Sequence, residues 1–103
     1  MFPLPGEEQD SELFDENGIE IIDDRAFLEC RNLKSISIPN NVTKLGKEAF
    51  SGCNNLSIVI IPASVNEIGM SAFEDCTNLT IHAPKGSYAI EYAKKNGIKY
   101  VEI

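Results

Sequence analysis

The chain has 103 residues, 43% apolar and 24% charged, which is the length of one domain with the composition of an ordinary folded protein. Its formal charge of −7 is unevenly held: residues 1–24 carry nine acids and no Lys or Arg, and residues 25–103 carry seven acids and nine bases. The composition therefore excludes the concentrated basic face that nucleic acid or anionic lipid demands, and no apolar run approaches the roughly 18 residues of a membrane helix.

The start, Met1-Phe2-Pro3-Leu4-Pro5, lacks a basic n-region and a long apolar stretch, so it does not read as a signal peptide. An intracellular protein and a piece whose signal has been removed both remain open. Residues 1–13 hold prolines, a glycine and the acids Glu7, Glu8, Asp10 and Glu12, with few apolar anchors, and are expected to be flexible. Asn17-Gly18 is a turn signal between Phe14 and the apolar Ile19-Glu20-Ile21-Ile22. A short hairpin covering the first repeat is one reading of residues 1–18; a boundary with upstream repeats missing is the other.

From Ile19 to Pro84 the sequence repeats with a period of 23. Ala26, Ala49 and Ala72 share one column, and Phe27, Phe50 and Phe73 the next. Cys30, Cys53 and Cys76 follow, then Asn32, Asn55 and Asn78, then Leu33, Leu56 and Leu79. A stack of one small unit is the physical meaning of such a period, because neighbours then share a core that none could bury alone. Within a copy, Ile36 and Ile38 alternate with Ser35 and Ser37, the period of a strand with one buried face, and Pro39 or Pro62 ends it. Val42 with Leu45, and Val65 with Ile68, predict a short second strand closed by Gly46 or Gly69. Residues 47–51 and 70–74 are expected to form about one helical turn that packs Ala and Phe inward. The third copy has lost one residue after Leu79, the decay expected where a stack stops.

Residues 85–103 are expected to close the stack. Ser87 suits an N-cap, Gly97 a C-terminal cap, and Lys94 and Lys95 the negative end of the helix dipole. Tyr88, Ala89, Tyr92 and Ala93 form one apolar helix face, and residues 98–103 alternate as a last strand.

Three cysteines cannot all pair within one chain, and a spacing of 23 is no zinc signature. Small buried thiols in one internal layer are the main reading, a single disulfide between neighbouring copies the lesser one. The Asn column is read as internal ladders bonding loop backbone. His82 is the sole histidine and alternation points it outward, away from the internal Cys76, so no nucleophile and base come together. Neither a cofactor nor a metal is expected.

The repeat Leu33-x-x-Ile36-x-Ile38-Pro39, Val42-x-x-Leu45-Gly46-x-x-Ala49-Phe50, Cys53-x-Asn55-Leu56 resembles the BspA-like leucine-rich repeat family, over residues 19–84. Residues 85–103 are similar to that family's frequent closing segment, and residues 1–18 match nothing in it. The resemblance implies an α/β repeat: a short right-handed leucine-rich-repeat solenoid with parallel strands on the concave side, about three copies and a helical C-terminal cap. It also implies a cell-surface or secreted setting, with adhesion to host or matrix proteins, and it brings no shared catalytic residue.

On that concave side the outward positions are Ser35 and Ser37, then Ile58 and Ile60, then Thr80 and His82. Two exposed isoleucines among polar residues make an apolar spot, which is the expected protein-binding surface. The leading expectation is a non-catalytic interaction or adhesion module for a protein partner whose identity the sequence does not name. A structural spacer or terminal stalk of a larger surface protein is the alternative. An N-terminal side without a cap would leave an open end to pair with a second copy, so a homodimer through that end is also expected.

Overall fold

The computed structural model describes residues 21–103, so the expected N-terminal hairpin and flexible segment lie outside the described residues. The elements follow in the order β1 (Ile21–Ile22), β2 (Ser35–Ser37), β3 (Lys44–Leu45), β4 (Ile58–Ile60), β5 (Glu67–Ile68), β6 (Thr80–Ala83), α1 (Tyr88–Asn96) and β7 (Lys99–Glu102). They build two parallel sheets, β1-β3-β5 and β2-β4-β6-β7. Ser35 pairs with Ile58, and Lys44 with Ile21 and Glu67, all 23 apart. The next step of the larger sheet, Ile58 to Thr80, is 22, as the deletion after Leu79 requires. Alternate side chains turn inward: Ile36, Val59 and Ile81 are buried while Ser35, Ser37, Ile58 and Ile60 are exposed.

The interior is a set of columns. The Phe27 and Phe50 rings lie 5.0 Å apart and 2° from parallel, and those of Phe50 and Phe73 lie 5.3 Å and 4° apart. Tyr92 of α1 meets Phe73 at 6.2 Å, tilted by 60°, and ends that column. Leu33, Leu56 and Leu79 form another buried column, and Ile22, Leu45 and Ile68 a third. Ala89, Ile90 and Ala93 of α1 seal the C-terminal end, each fully buried.

The segment expected to make a helical turn is a run of tight turns instead. Ala49, Ser51 and Cys53 each donate an N–H to the carbonyl three residues back, on Gly46, Glu48 and Phe50. The intervening donors Glu48, Phe50 and Gly52 reach forward to Met70, Ala72 and Glu74 of the next copy, at 3.0, 2.8 and 2.7 Å. An α-helix bonds each N–H beyond its first turn to the carbonyl four residues back in its own segment. Here half of them must point at the neighbouring copy, and the backbone meets that demand by changing hand. Arg25, Glu48 and Ser71 have φ of 58°, 56° and 59°, one residue per copy, and Glu29, Gly52 and Asp75 form a second such column at 56°, 78° and 64°.

Candidate functional site

The two sheets present different outer faces. On the three-stranded sheet the row Ile21, Lys44, Glu67 holds an ion pair, with the Lys44 Nζ 3.6 Å from the Glu67 carboxylate. The outer face of the four-stranded sheet has two rows. One runs Ser35, Ile58, Thr80, Lys99, the other Ser37, Ile60, His82, Val101. All six residues expected at a binding surface therefore share one face, and Lys99 and Val101 of β7 extend it. Ile58, Ile60 and Val101 are 37%, 38% and 42% exposed, large apolar side chains left in water on one surface. No carboxylate occupies any of the eight positions.

The other singled-out residues serve the stack. The Cys53 thiol donates to the Phe27 carbonyl at 3.0 Å and the Cys76 thiol to that of Phe50 at 3.1 Å; all three cysteines are free. Burial pushes the Cys53 thiol up to about 12 and the Cys76 thiol to about 11, and Cys30 is raised by burial too. Thiols held neutral in this way are poor nucleophiles. Asn55 Nδ2 donates to the Arg31 carbonyl at 2.7 Å and Asn78 Nδ2 to that of Asn54 at 3.5 Å, so these amides do bond loop backbone of the preceding copy. They do so from exposed positions, not internal ones, because the backbone they reach lies at the rim of the turns.

Tyr88 and Tyr92 flank a depression of about 400 Å³ with Glu91, Lys94 and Lys95. Tyr92 is drawn toward Phe73, and burial raises its hydroxyl pKa, which fits a lid on the core. Among the described residues no group of three or more His, Cys, Asp or Glu is placed to hold a metal, and no helix is long and apolar enough to cross a membrane.

The expected homodimer through the N-terminal end turns on residues 1–20, which lie outside the described residues. Ile22, Phe27, Leu33, Ile36 and Ile38 of the first described copy are each no more than 4% exposed. Asp23 also stands where Gly46 and Gly69 stand in the later copies. A Cβ at those glycines would lie 2.5 Å and 2.6 Å from backbone nitrogens of the preceding copy.

Parallel strands recurring every 23 residues around a shared interior of Leu, Ile and Phe columns define a leucine-rich repeat protein. The profile of the BspA-type leucine-rich repeat region, six copies, matches residues 11–97, and the chain belongs to that family. Among curated proteins and among solved structures, none matches the chain. Membership suggests a protein-interaction module, and such repeats are typically non-enzymatic.

Proposed function

We propose that this chain binds a protein partner through the outer face of its four-stranded sheet, with Ile58 and Ile60 at the centre of the contact and Ser35, Ser37, Thr80 and His82 around them. The observation that carries the reading is the pair of isoleucines left about two-fifths exposed on a face free of carboxylates, while the other sheet covers its face with an ion pair. Apolar side chains kept in water where a serine would serve, as Ser35 and Ser37 do one copy earlier, fit a site whose contacts are completed by another molecule. We read the stack as a short right-handed solenoid with this sheet on its concave side; the strong preference for right-handed crossovers between parallel strands supports that hand. In this reading the module is displayed at the cell surface or secreted and adheres to a host or matrix protein.

The test is adhesion of the wild-type chain and of the Ile58→Asp/Ile60→Asp variant to immobilised extracellular-matrix proteins. Loss of about tenfold or more in affinity, with thermal unfolding shifted by only a few degrees, is expected. Equal binding by the two proteins would remove this face from consideration. Absence of binding by the wild type would favour the spacer reading.

A further inference from the structure

The last strand of the four-stranded sheet carries Tyr100 and Val101 between the charged Lys99 and Glu102. β7 ends the strand order, and all four of its residues are exposed. Tyr100 and Val101 are 39% and 42% exposed, and Ile103 just beyond is 65% exposed. The Ile103 N–H donates to the Ala83 carbonyl at 2.9 Å, which fixes the alternation of the backbone. Peptide groups of Val101 and Ile103 turn toward β6, and those of Tyr100 and Glu102 turn away from it. The outward groups have no strand partner among the described residues, so this edge is a template for one more strand.

Closure, register and charge decide the occupant. A head-to-tail contact of β7 with the opposite edge strand β2 leaves one edge unpaired at each end and does not close, whereas a second copy meeting β7 with its own β7 does. Parity leaves an antiparallel β7–β7 contact three registers, centred on Tyr100, Val101 or Glu102, because only residues with outward peptide groups can exchange hydrogen bonds. A centre at Glu102 sets two carboxylates face to face. A centre at Tyr100 sets Val101 against Lys99. A centre at Val101 joins the two valines on the outer face and lays Ile103 along the Lys99 stem. On the other face it brings Glu102 of the second copy beside Tyr100, over whose ring the Lys94 ammonium already lies, 5.9 Å from the centroid. Lys94 has an exposed neighbour on its own helix, Glu91 at 3.8 Å, and a second carboxylate across the axis adds to that attraction.

We propose that two copies of this chain pair antiparallel through β7 about a two-fold axis at Val101, joining their four-stranded sheets into one. The row Ile60, His82, Val101 then continues into its own mirror order, and the two Ile60 side chains lie five strand spacings apart, roughly 24 Å. The dimer goes beyond the binding role proposed above and does not depend on it; where both hold, the partner meets two equivalent apolar spots on one surface.

Sedimentation equilibrium on the whole chain, from micromolar to near-millimolar concentration, reads the state directly. The expected mass is twice the 11.4 kDa of one chain, with dissociation on dilution. Lys94→Glu and Glu102→Lys should each weaken the dimer about tenfold or more, and the two together should restore it. In a Cys76→Ser background, Val101→Cys should form a disulfide-linked dimer on mild oxidation and Lys99→Cys should not, because only the axial residue faces itself at about 4.5 Å between Cα atoms. A single-chain mass at every concentration overturns the proposal. So does a dimer that ignores both charge reversals, or one whose double reversal stays weak, or cross-linking at Lys99 as ready as at Val101.

Discussion

Gly69 illustrates how closely the copies press on one another. A Cβ there would fall 2.6 Å from the Lys47 nitrogen, and a backbone atom inside a stack cannot step aside. Gly69→Ala should therefore lower stability by about 1–3 kcal/mol, seen as an earlier urea midpoint. Two residues on, the sign reverses. Ser71 holds φ at 59°, where an L-residue loses about 1–2 kcal/mol and glycine about 0.5–1 in chain entropy. Ser71→Gly should leave the midpoint unchanged or move it later. The thiols give a pH signature. Burial raises Cys53 to about 12 and Cys76 to about 11, against an ordinary value of 9.0. The folded chain keeps its protons where the unfolded one releases them, so this contribution is complete below pH 9.0 and fades as pH climbs through 11 to 12. Urea midpoints across that window should fall less in a Cys53→Ala/Cys76→Ala variant than in the wild type.

Among the elements, α1 shows where sequence signals succeed and where they stop. Gly97 was legible as a helix end, and it sits at φ 69° with its N–H donating to the Ala93 and Lys94 carbonyls. Ser87 occupies the N-cap with extended backbone, yet its side chain makes no capping bond and its Oγ is buried without a partner. Gly97→Ala is accordingly expected to cost about 1 kcal/mol, and Ser87→Ala less than the similar loss usual for a capping serine. Thermal unfolding of the two variants ranks them. The turn segments were misread for a definable reason: Lys47, Glu48, Ala49 and Phe50 favour helix locally, but stacking claims alternate N–H groups and overrides propensity. Only Gly52 hinted at the left-handed columns, because the Arg, Glu and Ser of the other column share no property that announces a positive φ.

At the scale of the molecule, the repeat made most of the fold legible. Each inward column is written out three times, and the residue missing after Leu79 reappears as a strand offset of 22. The outer rows over Ser35, Ser37, Ile58, Ile60, Thr80 and His82 followed from the same alternation. Their continuation to Lys99 and Val101 did not, because β7 lies outside the repeat and no column aligns it. The direction in which β4 faces decides both the core and the binding surface, and adjacent residues of that strand test it. Val59 is fully buried between Ile36 and Ile81, and Ile60 is 38% exposed between Ser37 and His82. Urea unfolding of Val59→Asp and Ile60→Asp puts the two side by side. Burying an unpaired carboxylate at Val59 should cost about 3–5 kcal/mol or abolish folding, and the same change at Ile60 about 1 kcal/mol. Equal losses, or a larger loss at Ile60, would contradict the assignment of faces and the binding surface built on it.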